Sequence, residues 1–135
     1  MATRGRIGLE LKDGSILSVY HHLDSYESWL GRILTTHYNS YEKAAELIDG
    51  GDMSSAWTNA GWNNETVEQG ALYYSQRGED LPPRLDQVLC DYLLAVNAEE
   101  YHYLFRNGEW VCYEMNPLGN ELPKIVAIPQ GELVK

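Results

Sequence analysis

Cysteine, phenylalanine and basic residues are scarce in this chain. Its 135 residues include two Cys and one Phe, and only ten Lys and Arg stand against twenty Asp and Glu. Because Cys90 and Cys112 lack CxxC spacing, we predict two free, buried thiols and no disulfide. The net charge of −10 repels phosphate backbones, so we expect no direct nucleic-acid binding.

Long apolar runs are also absent. No stretch approaches the roughly 18 apolar residues that a membrane-spanning helix needs, and the first residues show no secretion-signal pattern. We therefore expect a cytoplasmic protein with no membrane partner. Walker A, GxGxxG, HExxH and zinc-finger patterns are missing too, so we expect no cofactor and no metal.

Aromatic and periodic apolar residues are plentiful by contrast. Ten Tyr, four Trp and an apolar share of 44% indicate a folded globule, and the length suits one domain over residues 1–135. Alternating stretches predict strands, and stretches with helical spacing predict helices. The predicted fold class is α+β: a mostly antiparallel sheet, with two helices from the N-terminal half and one later helix packed on it.

The first predicted hairpin decides which side of the sheet two neighbouring histidines occupy. A two-residue turn at Asp13-Gly14 would place Tyr20 and His22 on the face of Leu9, with His21 on the other face. Whichever face is solvated, one of the two histidines then points into the fold. A second hairpin is predicted around Asn107-Gly108, the turn pair typical of tight hairpins.

Three stretches have helical spacing of their apolar residues. The first covers residues 26–38 with Asp24 as N-cap, and the second starts after Asn39 and stops at Gly50-Gly51. The third covers residues 85–93. Residues 52–70 lose periodicity and predict a long loop, which in a small domain is often functional.

A polar cluster at the start of the first helix is one candidate site. His22 and Asp24 suit a base and its orienting carboxylate, and they would be the catalytic pair if the protein is an enzyme. A helix N-terminus nearby suits an anion. The alternative is that Asp24 only caps the helix and that His22 only packs.

A second candidate is the glycine-rich turn at residues 50–55. Its backbone N–H groups and hydroxyls suit a phosphate or ribose, and the alternative is a helix C-cap followed by a polar turn. Arg77 suits bidentate phosphate recognition, with an internal salt bridge as its alternative. His37 is either a ligand-binding residue or a histidine at the core or its rim.

Five segments together resemble a group of small phage-encoded proteins. They are Tyr20-His21-His22-Leu23-Asp24-Ser25-Tyr26, His37-Tyr38-Asn39, Leu47-Ile48-Asp49-Gly50-Gly51-Asp52-Met53-Ser54-Ser55, Tyr74-Ser75-Gln76-Arg77-Gly78-Glu79-Asp80 and Glu99-Glu100-Tyr101-His102-Tyr103. The Gly-Asp-x-Ser-Ser and Arg-Gly-Glu-Asp segments are the most specific. The usual Trp-Asp-Gly-Tyr of the group is replaced here by Leu23-Asp24-Ser25-Tyr26.

The resemblance implies an accessory protein that counters host defence. With the residue inventory, it predicts capture of a small nucleotide-type ligand, such as an ADP-ribose derivative or a cyclic nucleotide, by a homo-oligomer. One alternative is an acidic inhibitor of a host protein that imitates the charge of DNA, and another is a small nucleotide-cleaving enzyme. The predicted ligand-binding residues are Tyr20, His22, Asp24, Tyr26, His37, Tyr38, Asp52, Ser54, Ser55, Trp57, Arg77 and Glu79.

Overall fold

One mixed sheet organises the molecule. The computed structural model describes residues 3–22, 25–56, 72–73, 81–93, 99–115 and 123–128. Within them the strands are β1 Gly5–Glu10, β2 Ile16–His21, β3 Met53–Ser55, β4 Leu72–Tyr73, β5 Arg84–Asp86, β6 Tyr101–Arg106, β7 Glu109–Glu114 and β8 Lys124–Val126. Their order is β4-β3-β2-β1-β6-β7-β8, and β5 also pairs with β2. The β1–β6 and β2–β3 pairs are parallel, and the others are antiparallel.

Helical segments lie on both faces of this sheet. A π-helical turn, Glu27–Gly31, continues as α1, Arg32–His37, and α2 follows at Tyr41–Asp49. A single-turn helix, α3 Leu89–Tyr92, precedes β6. The predicted α+β class, with a mostly antiparallel sheet, two early helices and one later helix, is confirmed. In the described ranges, no helix is long and apolar enough to span a membrane.

Each face of the sheet has its own apolar core. On the two-helix face, Ile7 and Leu9 pack with the buried side chains of α1 and α2. On the opposite α3 face, Tyr92 packs with Leu104 and lies over Gly8, where a Cβ would be 2.8 Å from the Tyr92 ring. Tyr92 therefore occupies the space that the absence of a side chain at Gly8 leaves.

The first hairpin has a three-residue loop instead of the predicted two-residue turn. The N–H of Leu11 donates to the carbonyl of Ser15, and Gly14 adopts a φ of +88°. Glycine in the left-handed region is what such a loop requires at its third position. The extra loop residue shifts the strand register by one position.

This shift reverses the two faces of β2. Ile7 pairs with Val19 and Gly5 with His21, so His21 lies on the two-helix face. Tyr20 and His22 therefore point to the α3 face, and their predicted placement beside Leu9 was wrong. The expectation that one of the histidines points into the fold is confirmed, since His21 has no exposed surface.

The second hairpin forms as predicted. Asn107 and Gly108 have φ angles of +53° and +81°, which suit a tight hairpin turn. Phe105 pairs with Trp110 across the strands, and their ring centroids are 5.2 Å apart in an edge-to-face arrangement. Local turn chemistry was sufficient to determine this register.

The helix ends differ from the prediction. Ser40, instead of Asn39, caps α2, because its Oγ accepts a hydrogen bond from the Lys43 N–H at 3.2 Å. The predicted third helix is only the single turn α3, since Arg84–Asp86 pairs with β2 as strand β5. In the first helix, Tyr26 occupies the N-cap position, and the predicted cap Asp24 lies outside the described residues.

Both cysteines are free thiols, but only one is buried. Cys112 lies in the two-helix core, and Cys90 is exposed, so the prediction of two buried thiols was wrong for Cys90. Cys90 belongs to the short α3, whose single turn covers too little surface to bury every side chain it carries.

Candidate functional site

The candidate site lies at a division in the outer edge of β2. Residues Ile16, Leu17 and Ser18 pair with β5, whereas His21 pairs with Met53 of β3. Between these two strands, the N–H of Tyr20 donates to Asp52 Oδ1 at 2.9 Å. A carboxylate side chain thus replaces a strand partner at this point, and it brings an acidic group to the α3 face.

His21 positions the site without belonging to it. Its Nε2 accepts the N–H of Ala56 at 3.0 Å, so the neutral ring carries its proton on Nδ1, which is 2.8 Å from Ser25 Oγ. Burial, with a smaller effect of His22, lowers the pKa of His21 to about 3. The ring is therefore a neutral structural link between β2, the chain after β3 and the start of the first helix.

Tyr20 and His22 form a half-buried aromatic pair on the α3 face. The Tyr20 hydroxyl lies 2.7 Å from His22 Nδ1, and the ring centroids are 5.8 Å apart with a 50° angle between their planes. The hydrogen bond fixes the imidazole beside the phenol, and Nε2 is the ring nitrogen that this bond does not use. Two rings held in this way offer a surface for stacking and one polar atom for recognition.

The pKa of Asp52 reflects its burial, one hydrogen bond and two nearby positive charges. Burial raises its pKa, while the hydrogen bond from the Tyr20 N–H and the charges of Arg6 and Arg84 oppose that rise. Oδ1 is used by Tyr20, which leaves Oδ2 as a hydrogen-bond acceptor. The carboxylate therefore links the aromatic pair to the charged groups beside it.

Two arginines that the sequence analysis missed complete the cluster. Arg6 is almost fully buried, with Nε 3.0 Å from Ser18 Oγ and one terminal nitrogen 3.2 Å from the Ser18 carbonyl oxygen. Arg84 remains 31% exposed, with Nε 3.1 Å from Asp86 Oδ2. Burial, followed by the nearby charge of Arg84, lowers the pKa of Arg6, so the two guanidinium charges lie within electrostatic reach of one another.

The buried Glu99 carboxylate lies close to both Arg6 and His102. Glu99 Oε2 lies 3.9 Å from Arg6, and Glu99 Oε1 lies 3.6 Å from His102 Nε2. His102 Nδ1 is 2.8 Å from the carbonyl oxygen of Tyr92, to which it donates. Burial lowers the pKa of His102, although Glu99 opposes that effect. This arrangement anchors the guanidinium of Arg6 under the α3 face.

We name the exposed part of this arrangement the Tyr20 cluster. It consists of Tyr20, His22, Asp52 and Arg84, with Arg6 beneath them. Three of its five members are predicted site residues that the structure brings together. The signal for Arg6 was present in the sequence, because it alternates with Ile7 in β1 and so faces away from the two-helix core. Arg84 directly follows Pro82-Pro83, and no local pattern marks it.

Three other predicted site residues lie at the ends of the first helix. Tyr26 begins the first helix, and His37 ends α1. The Tyr38 hydroxyl donates to the Ala56 carbonyl at 2.8 Å, and burial raises its pKa to about 12. A binding role for these three residues stays a prediction.

The glycine-rich turn offers fewer donors than the sequence suggested. The N–H of Gly51 donates to Ile48, and the N–H of Asp52 donates to Leu81, at 3.0 and 2.9 Å. These two groups are therefore engaged within the protein. The backbone of Ser54 and Ser55 forms part of β3. Asp24, Trp57, Arg77 and Glu79 were also predicted to bind the ligand, and they lie outside the described residues.

A cavity of about 360 Å³ lies elsewhere, between the end of α1 and strands β7 and β8. Its described lining includes Thr35, Trp110 and Val126, but no basic side chain and none of the predicted site residues. Glu109 is the one charged group in that lining. The cavity therefore suits an anionic ligand less well than the Tyr20 cluster does.

In the part of the chain that the structure describes, no three His, Cys, Asp or Glu side chains converge as metal ligands.

Comparisons with models of known protein families, with curated protein sequences and with solved structures found no match. The chemistry of the Tyr20 cluster must therefore be interpreted from its own residues.

Proposed function

We propose that this protein captures a small nucleotide-type ligand at the Tyr20 cluster and holds it without cleaving it. The observation that carries the proposal is the meeting of an aromatic pair, a carboxylate and an arginine with a 31% exposed side chain on one face of the sheet. A nucleotide requires these three kinds of group: a ring surface for its base, an acceptor for its ribose hydroxyls and a cation for its phosphate.

Each group suits one part of such a ligand. The rings of Tyr20 and His22 stack against a base, and base–aromatic stacking is worth about 1–3 kcal/mol per base. Asp52 Oδ2 accepts a hydrogen bond from a ribose hydroxyl. The exposed part of Arg84 meets a phosphate, and Arg77 remains a further candidate for that role. The resemblance to phage accessory proteins supports sequestration of a host signal as the biological purpose.

Thermal unfolding of the purified protein with a panel of nucleotides tests this proposal. A ligand present at 100 times its dissociation constant should add about 2.7 kcal/mol of stability, which raises Tm by several degrees. Chromatographic recovery of the ligand then separates capture from catalysis. Intact ligand supports capture, whereas a converted ligand would favour the enzyme, with His22 and Asp24 as its catalytic pair.

Two variants locate the site. Arg84→Gln should abolish the thermal shift, as should Arg77→Ala if Arg77 also meets the phosphate. Arg106→Gln is the matched control, because Arg106 lies on β6 and pairs with Glu10 at 3.2 Å, and its loss changes the net charge equally. A thermal shift that survives Arg84→Gln would remove the Tyr20 cluster from consideration.

A second candidate function is supported by exposed apolar side chains. Leu81, Leu85 and Val88 are 40%, 50% and 52% exposed within one short segment that contains β5. Exposed apolar groups close together favour contact with another protein. We infer that an acidic inhibitor of a host protein would use this segment. If no nucleotide stabilises the protein, pull-down from host lysate with wild type and Leu85→Ser tests that alternative.

A further inference from the structure

A further arginine lies at the start of β1, on the same face of the sheet as the Tyr20 cluster. Arg4 directly precedes β1 and is exposed. The carbonyl of Arg4 accepts the N–H of Glu100 at 2.8 Å, and the carbonyl before it, that of Thr3, accepts from Ser25 at 2.9 Å. Successive carbonyls thus point to opposite sides, as in an extended strand, so the alternation of side chains continues through this position. Arg4 therefore lies on the α3 face, as Arg6 does.

The register of the first hairpin places Arg4 beside His22. Gly5 pairs with His21. The next position outward holds Arg4 on one strand and His22 on the other. With the Tyr20 hydroxyl as donor to Nδ1, the neutral imidazole of His22 carries its proton on Nε2. A guanidinium and a ring N–H on neighbouring strands are two donors that suit a phosphate.

Arg4 and Arg84 lie at opposite ends of the aromatic pair. Arg84 pairs with Ser18, which precedes His22 by about 13 Å along β2. Tyr20 lies midway between those two positions. The two arginines also flank β2 from different sides, since β5 carries Arg84 and the β1 side carries Arg4. A ligand that lies along Tyr20 and His22 therefore has a cation at each end.

We propose that Arg4 binds a second anionic group and that the ligand carries two phosphates on opposite sides of a nucleoside. This inference rests on the proposed function, to which it adds a binding residue and a narrower ligand class. Phosphates separated by a ribose suit cations at the two ends of the aromatic pair better than the adjacent phosphates of a diphosphate do. Separated phosphates occur in nucleoside bisphosphates and in cyclic dinucleotides, and both supply the same chemistry to Arg4 and Arg84.

Calorimetric titration of the full chain at pH 7.5 compares ligands that differ in where their phosphates lie. The series contains AMP, ADP, adenosine 3′,5′-bisphosphate and cyclic diadenylate, with guanosine counterparts. We expect the bisphosphate or the cyclic dinucleotide to bind about tenfold more tightly than ADP, because one additional charge-assisted hydrogen bond is worth at least that factor. Whichever of the two binds more tightly identifies the source of the separated phosphates.

Loss of the Arg4 charge gives an independent readout. Arg4→Gln should weaken binding of the preferred ligand about tenfold and remove its advantage over ADP. Because Arg4 is exposed, the variant should unfold at the same temperature as the wild type when no ligand is present. Arg106→Gln is the matched control, because Arg106 pairs with Glu10 at the other end of β1 and its loss changes the net charge equally. This control should retain the advantage over ADP.

The outcomes separate the inference from the function it rests on. Binding of ADP as tightly as both ligands with separated phosphates, or unchanged binding in Arg4→Gln, would overturn the second anion site and leave nucleotide capture standing. An equal loss in Arg4→Gln and Arg106→Gln would also overturn it, because net charge would then explain the preference. If the series fails to bind while another nucleotide stabilises the protein, the inference alone is overturned. Absence of binding to every nucleotide would overturn both proposals.

Discussion

Acidification should destabilise this protein through His21, whose side chain is fully buried. His21 is neutral in the fold because its Nε2 accepts the N–H of Ala56, and its Nδ1 proton is directed at Ser25. Protonation would place a donor against the Ala56 N–H and a charge within the two-helix core. For these reasons the pKa of His21 is about 3 in the folded chain, compared with 6.5 for an unperturbed histidine.

The lowered pKa determines both the size of the effect and its pH range. The unfolded chain takes up the proton first, so the stability contributed by neutral His21 is fully present above pH 6.5 and is lost as the pH falls towards 3. With about 1.4 kcal/mol per pKa unit, the complete loss is about 5 kcal/mol. About 2 kcal/mol of this is already lost at pH 5.

Urea unfolding followed by tryptophan fluorescence, at pH 7.5 and at pH 5, measures this loss. His21→Gln should unfold more easily at pH 7.5, and it should lose about 2 kcal/mol less than the wild type between the two pH values. Tyr38→Phe is the control, because it removes a hydrogen bond to the Ala56 carbonyl from a hydroxyl whose pKa burial raises to about 12, so this variant should retain the wild-type pH dependence. His102 also has a lowered pKa, but it remains in both variants and drops out of the comparison.

Two results would refute this reasoning. One is a folded-state pKa of His21 near 6.5, measured by NMR titration of the imidazole in the wild-type protein. The other is an unchanged pH dependence of unfolding in a folded His21→Gln variant. The NMR titration does not require a variant, so it decides the matter even if His21→Gln fails to fold.

Three further predictions concern packing and thiol reactivity. Gly8→Ala should lower the free energy of unfolding by about 1–3 kcal/mol in urea titrations, because the added Cβ would be 2.8 Å from the Tyr92 ring. Gly14→Ala is the control, because a Cβ there meets no atom within 4 Å and should cost only the strain of a positive φ. Tyr103→Phe should cost about 1–3 kcal/mol, because it removes the hydrogen bond from the Tyr103 hydroxyl to the buried carbonyl of Ser25. In the native protein one thiol should react with Ellman's reagent at pH 8, because Cys90 is exposed and burial raises the pKa of Cys112 to about 12. Two thiols should react when the protein is unfolded in guanidinium. A native count of two reactive thiols would contradict the burial of Cys112.

Local sequence signals were sufficient for part of the fold. The Asn107-Gly108 turn determined the second hairpin, because both residues tolerate the positive φ angles that the turn needs. The spacing of apolar residues similarly identified α1 and α2. The same kind of signal predicted the wrong loop length at Asp13-Gly14, where glycine is the third residue of a three-residue loop. A shift of one residue there moved Tyr20 and His22 to the opposite face.

The site was harder to predict because its residues meet through tertiary pairing. Tyr20, His22 and Asp52 were chosen from the sequence, and the structure places them together on the α3 face. Arg84 joins them only because β5 pairs with β2, and a three-residue strand has too few residues for a periodic signal. Its apolar neighbours Leu85 and Val88 instead suggested a helix, because a spacing of three residues is typical of one helix face, but β5 ends at Asp86, before Val88.

The division of the β2 edge explains why the site lies where it does. β5 occupies one part of this edge and β3 another, so the N–H of Tyr20 lies between two strands and bonds to a side chain. A strand partner at this position would have covered the edge with backbone groups, and Asp52 covers it with a carboxylate that uses Oδ1 for the Tyr20 N–H. The same division brings Arg84, on the nearer end of β5, within electrostatic reach of Asp52. The polar cluster is therefore a consequence of two short strands sharing one edge, and lengthening either strand across Tyr20 would remove the site while preserving the sheet.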